Sequence, residues 1–215
     1  INATMDIAII KELLTNLCEA AELTGQYPEK VAVWQEIIQH LPPYEATEEG
    51  DLREWQWPGL TQRYNHRHLS HIYPMFPGRE IVKGVAPKEL VDTFEKAVDK
   101  RLLGAQTGWS LAHMACINAR FDWRNMGLTL YRDHGAFAPI QLDASMGIVG
   151  AMQEMLLFAQ PACVKLLPAL PKRWKKGHAR LRYMQGEVEI SWNQETGALL
   201  VQFRPKRSAD IQVIL

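Results

Sequence analysis

Apolar residues recur at helical spacing from Ile7 through Ile10, Leu14, Leu17 and Ala21, which predicts an amphipathic helix capped by Thr4 and closing near Gly25. Val31, Trp34, Ile37, Ile38 and Leu41 predict a second helix, halted at Pro42-Pro43, where an amide donor is lost and the ring clashes with the preceding turn. The periodicity then stops. Residues 45–84 form a long stretch rich in Trp, His and Pro. Irregular segments of that length are usually functional or disordered, and this one is too aromatic for disorder. Helical spacing resumes with Leu90, Phe94, Ala97 and Val98, Pro87 sitting in the first turn of a helix that reaches about Leu103. Further helices are predicted over 110–121, 124–131 and 146–158, the last burying Ile148, Met152, Met155 and Leu156. After Pro161 the pattern shifts to short, partly alternating runs over 180–183, 188–192, 199–203 and 211–215, split by Gly186, residues 193–197 and Pro205. Helices followed by strands imply two architectural units, with the boundary between Pro161 and Gly177. Irregular segments alternating with paired helices suit a toroid of helical hairpins whose loops converge on a pocket. A plain helical bundle fits the same pattern.

Composition narrows the partners. The 24 basic and 24 acidic side chains cancel, with no long run of either sign, which gives no support to a nucleic-acid or anionic-membrane partner. No apolar run is long enough to span a bilayer and no signal peptide is read; beginning at Ile1, the chain reads as starting partway through a longer protein. Cys18, Cys116 and Cys163 are far apart, odd in number and without CxxC spacing, so they read as buried thiols.

The chemistry concentrates in Tyr64-Asn65-His66-Arg67-His68-Leu69-Ser70-His71 and the aromatic, Pro-rich residues that follow. So many ring nitrogens and guanidinium donors are costly in a core unless each is paired, whereas a pocket that grips a hydroxyl-rich ligand uses them all. His68 and His71, three apart, could instead share a helical turn and ligate a metal, but no third ligand stands at useful spacing. Part of the group can also serve only to fix the loop. Asp143, placed just before the predicted 146–158 helix, reads either as a cap satisfying free backbone N–H groups or as a catalytic carboxylate. Trp55, Trp57, Tyr64, Tyr73, Phe76 and Trp109 are candidate stacking platforms or core aromatics. Thr107-Gly108-Trp109-Ser110 reads as a turn entering a helix, with Thr107 or Ser110 as cap. Most of Glu45, Glu48, Glu49, Asp51 and Glu54 read as solvated loop charges, with one general acid conceivable among them. The chain has no GxSxG elbow, P-loop or GxGxxG.

Taken in order, Thr4-Met5-Asp6, Glu54-Trp55, His66-Arg67-His68-Leu69-Ser70-His71 with Phe76-Pro77-Gly78, Thr107-Gly108-Trp109-Ser110-Leu111-Ala112, Gln141-Leu142-Asp143, Glu154-Met155-Leu156-Leu157 and Leu167-Pro168-Ala169-Leu170-Pro171 with Trp174 and Gly177 resemble glycoside hydrolase family 95, the inverting α-L-fucosidase family. The resemblance runs over nearly the whole chain, and its HRHLSH and LLPALP segments are the specific ones.

What the resemblance implies is a mainly α chain with a C-terminal β part. Residues 1–162 would be the C-terminal portion of an (α/α)6 barrel, and 163–215 part of a small β-sandwich-like domain. It implies hydrolysis of a terminal α-L-fucosyl bond with inversion: a glutamic acid protonates the leaving oxygen, and an asparagine polarised by an aspartate acts as base towards water. Asp143 matches the activating aspartate, while His66, Arg67, His68, Trp109 and Gln141 match sugar-binding positions. No metal or cofactor is required, and the partner is a carbohydrate. The acid and the base fall upstream of Ile1, so the isolated chain would carry half a site and would self-associate or pair with the missing N-terminal part. One departure stands out. The family's aspartate is usually followed by Gly-Asn and an aromatic before Gly, but here by Ala144-Ser145-Met146-Gly147, which puts fucosidase activity in question and points towards a related sugar such as L-galactose. Two rivals stand beside this reading: a non-catalytic carbohydrate-binding or structural remnant, and a metal-dependent enzyme built on the histidine loop.

Overall fold

A computed structural model describes residues 2–102, 107–122, 142–206, 208 and 210–215. The helix expected over 124–131 lies outside the described residues, as does Gln141. The chain divides into two compact units, Ile1–Gln106 and Thr107–Leu215. Among the described residues, no helix is long and apolar enough to cross a membrane.

The first unit opens with α1 (Thr4–Thr24), which ends where Gly25 takes the left-handed conformation, φ 67°, and donates to the Ala21 carbonyl. Only a residue without a β-carbon adopts that geometry readily, so the glycine stops the helix. The expected cap at Thr4 is a correction. Ala3 is the N-cap, and Thr4 turns inward, its Oγ1 donating to the Arg53 carbonyl at 2.6 Å and accepting from Gln56 Nε2 at 2.9 Å. Thr4 N–H also donates to the Glu54 carbonyl, and Ala3 bridges Trp55, so the irregular segment holds the start of α1. Helix α2 (Pro28–His40) packs on α1 but buries none of its own residues. Residues 41–87 contain a single 3-10 turn, Ser70–Ile72, before α3 (Lys88–Asp99), for which Pro87 serves as N-cap. The apolar face of α3 (Val91, Phe94, Ala97, Val98) is buried, Phe94 meets the Tyr44 ring edge-on, and Leu52 N–H donates to the Thr93 carbonyl. The loop thus supplies the packing that a neighbouring helix would otherwise give.

The second unit begins with α4 (Gly108–Arg120). Thr107 N–H donates to Ser110 Oγ at 2.7 Å, and the Thr107 side chain accepts from the Ser110 backbone N–H, a reciprocal cap that uses both of the residues expected as alternatives. Helix α5 (Leu142–Leu156) starts earlier than its apolar pattern implied, so Asp143 lies within its first turn rather than before it. Trp109 and Ala112 of α4 lie against Gly147 of α5, and Arg120 pairs with Glu154; positions rise together along both helices, which therefore run parallel with their N-termini at one end.

Helix α5 passes straight into β1 (Leu157–Gln160), which pairs antiparallel with β2 (Cys163–Leu166). The helix expected to reach 158 stops two residues short because Leu157 and Phe158 enter this ladder. Strand β6 (Gln212–Ile214) pairs parallel with β2, while β3 (Lys176–Tyr183), β4 (Gly186–Asn193) and β5 (Ala198–Pro205) form an antiparallel meander. Burial alternates strictly along β4, and Val188, Ile190 and Trp192 share one apolar core with Val164 and Leu166 of β2. Trp192 donates its ring N–H to the Trp174 carbonyl at 2.8 Å.

Candidate functional site

The histidine segment is exposed at its centre and anchored at both ends. His66, Arg67 and His68 are exposed, whereas Leu69 and His71 are buried. Beyond the exposed triplet, Ser70 Oγ donates to Glu54 Oε1 at 2.8 Å, and Leu69 N-caps the 3-10 turn. Glu54 is thereby a support of the loop. Ahead of the triplet, Arg101 Nη1 donates to the carbonyls of Arg63 (2.6 Å) and His66 (3.1 Å), and Leu102 N–H donates to Tyr64 O.

Below this lies a buried carboxylate that the sequence grouped with solvated charges. Asp51 is only 1% exposed and accepts from Lys100 Nζ at 2.6 Å, from the Tyr64 hydroxyl at 2.9 Å and from Thr47 Oγ1. Burial pushes its carboxyl up, but the hydrogen bonds from Lys100, Thr47 and Tyr64, with the charge of Lys100, outweigh that and hold it below its ordinary value. Lys100 also stands over the Tyr64 ring, 5.4 Å from its centroid. Tyr64 is therefore a strut, not a platform.

His66 and His68 meet edge to face, ring centroids 5.2 Å apart. Partial burial, Arg67 and His66 together lower the His68 pKa, which favours a neutral ring able both to donate and to accept. His71 is driven down to about 3, chiefly by burial and then by the Arg101 charge. It is neutral throughout the physiological range, and it is buried where His68 is exposed. Among the described residues, no group of three His, Cys, Asp or Glu side chains is placed to hold a metal ion.

In the second unit, Trp109 is 46% exposed at the first turn of α4 and stacks on His113, centroids 6.2 Å apart and planes 16° from parallel. A β-carbon on Gly147 would meet Ala112 Cβ at 2.7 Å and Trp109 Cζ3 at 3.4 Å. Gly147 lies about one helical turn beyond Asp143, so the start of α5 and the Trp109 face of α4 occupy the same end. Asp143 is exposed and accepts the Ala144 N–H at Oδ1, 2.8 Å, where a carboxylate complements the positive end of the helix. At the opposite end, Arg120 grips Glu154 with Nε and Nη2 and lies over the Phe158 ring, 4.2 Å from Cζ to centroid. This pair fixes the register of the two helices.

The structure brings His66, Arg67 and His68 together on the first unit, and Trp109 with the start of the Asp143 helix on the second. Sequence reasoning missed Arg101 and His113, and named Asp51 only as one of five loop acids. For His113 a signal existed, since it follows Trp109 by four residues, the spacing at which helical side chains meet.

A sequence model of the glycosyl hydrolase family 95 catalytic domain matches residues 1–156. "Alpha-L-fucosidase 2" of Arabidopsis thaliana is 32% identical over 93% of this chain and 26% of its own length. "Probable alpha-fucosidase A" of Aspergillus niger is 30% identical over 67% of the chain and 22% of that relative. Its namesake from Aspergillus oryzae is 25% identical over 87% of the chain and 31% of that relative. The chain thus spans between 22% and 31% of the length of these curated relatives.

Proposed function

The chain belongs to glycosyl hydrolase family 95, and we propose on that premise that it is part of a glycoside hydrolase that removes terminal α-L-fucosyl or closely related residues from oligosaccharides with inversion. The observation that carries the reading is the catalytic-domain match over residues 1–156, which takes in both exposed clusters described above. Residues 1–162 form a portion of an (α/α)6 barrel and 163–215 a β-domain segment. The parallel α4 and α5 support this, because successive inner helices of a toroid of hairpins run the same way.

In this reading a glutamic acid and an asparagine from a preceding segment act as acid and base. An inverting site leaves room for water between the two catalytic groups, roughly 6.5–9.5 Å in carboxylate pairs. An amide alone is hardly basic, and Asp143 polarises it by accepting its N–H, strengthening the oxygen that receives the water proton. His66, Arg67 and His68 hold sugar hydroxyls with directed donors and acceptors, Trp109 offers its ring to an apolar sugar face, and Gln141 is a further sugar contact. No metal or cofactor takes part. A chain without its preceding segment self-associates or pairs with that segment, covering apolar residues such as Leu142, Met146 and Val149, which α5 leaves exposed.

The test is hydrolysis of α-L-fucosides and α-L-galactosides by this chain and by a version extended upstream. Turnover by the extended protein alone supports the split site and names the sugar. Sugar binding without turnover by either would replace this reading with a binding remnant, the outcome that the Ala144-Ser145-Met146 departure favours.

A further inference from the structure

We propose that Arg101 is a positioning residue that holds the His66-Arg67-His68 segment in the shape that receives the sugar, an inference that rests on reading that segment as a sugar contact. Arg101 is 6% exposed, yet its hydrogen bonds run to two main-chain carbonyls, Arg63 O at 2.6 Å and His66 O at 3.1 Å. A buried guanidinium is costly to desolvate, and burial draws its pKa down. Glu54, tied to Ser70 on the far side of the triplet, supplies the favourable charge that opposes this. The Arg63 carbonyl also accepts the His66 N–H at 3.2 Å, so Arg101 closes over a turn and pins its last residue. Its neighbours reinforce the grip: Lys100 pairs with Asp51, which holds the Tyr64 hydroxyl, and Leu102 N–H holds Tyr64 O. Three successive residues that follow α3 therefore fix the chain over 63–66, which leads into the exposed His66, Arg67 and His68. Arg101 is itself buried and bonds the loop by its main-chain carbonyls, so it acts through the loop.

The test uses the upstream-extended protein with Arg101→Gln and Arg101→Lys. Two readouts are taken: hydrogen exchange at the His66 and Leu102 amides, and kinetics with 4-nitrophenyl α-L-fucoside. Losing one charge-assisted hydrogen bond corresponds to a factor of about ten. Arg101→Gln is expected to speed exchange at both amides by about tenfold or more and to raise KM by a similar factor, while kcat stays within about threefold. Arg101→Lys, which keeps the charge on a chain one bond shorter, should fall between. If Arg101→Gln does not fold, Arg101→Lys carries both readouts. Unchanged exchange in a folded variant overturns the hold, and faster exchange with unchanged KM overturns the positioning role. If the unmodified extended protein neither hydrolyses nor binds the fucoside, the functional reading fails by itself; exchange alone then decides whether Arg101 holds the loop.

Discussion

Gly147 of α5 and Ala112 of α4 stand so close that a methyl group placed on the glycine would lie 2.7 Å from that of the alanine. No real pair of β-carbons approaches to that distance, so the absence of a side chain at 147 sets how closely the two helices meet. Trp109 closes the same contact from the turn that begins α4. The separation between the Trp109 face and the turn carrying Asp143 is therefore fixed by one missing carbon.

Gly147→Ala should destabilise the second unit by about 1–3 kcal/mol, because overpacking a stiff helix contact exceeds the gain in helix propensity. Gly150, one turn along α5, has nothing within 4 Å of its would-be β-carbon among the described residues. Gly150→Ala should stabilise by about 0.5–1 kcal/mol. Thermal melts of the two variants, read side by side, check both; a loss at Gly150 equal to that at Gly147 would show that the contact is not the cause.

Asp143 is exposed and, among the described residues, accepts its neighbour's amide, so its chemistry can be removed without touching the core. Asp143→Asn in the extended protein should lower turnover by orders of magnitude, as loss of an activating carboxylate does, with an unchanged melting temperature. Near-normal turnover would take the activating role away from Asp143.

His68→Ala should weaken binding of methyl α-L-fucoside by about tenfold, the worth of one or two hydrogen bonds to sugar hydroxyls. The ring lies outside the core, so the melt should barely move. Titration calorimetry decides: unchanged affinity would make His68 a purely structural neighbour of His66.

His71 predicts a pH dependence. Its folded pKa, about 3, lies below the ordinary 6.5, so the unfolded chain takes up the proton more readily. Stability is complete above the ordinary value and falls as pH drops from about 6.5 towards 3, by about 1.4 kcal/mol for each unit once the unfolded chain is protonated. His71→Gln should flatten that part of the profile. Urea unfolding of both proteins between pH 7 and 4 checks it, and parallel curves would refute it.

Much of this architecture could be read from local patterns. Gly25 announced the end of α1, and Thr107 and Ser110 were both visible as candidate caps of α4, though not that they cap each other. What could not be read depends on partners distant in sequence. Thr4 looks like a cap until Arg53 and Gln56 draw its hydroxyl inward. Residues 157–160 look like more helix because their strand character comes from pairing with β2. The density of donors in residues 66–71 marked the candidate site at once, but which of them point outward did not follow from spacing. Arg101 and Asp51 gave no signal, since a lone cation after a helix and one acid among several resemble ordinary surface charge until burial is known.

Strand β2 has β1 beside it almost at once, but its other edge waits for β6, which follows only after β3, β4 and β5. Until residues 212–214 have been synthesised, the backbone groups of Cys163, Val164 and Lys165 on that side lack their strand partner. An unpaired edge next to an apolar surface invites the wrong strand, from this chain or another. The newly made protein therefore depends on a strand made long after β2 to close the flank of the sheet into which the Asp143 helix feeds, and a translation product interrupted before residue 212 would carry the sticky edge with it.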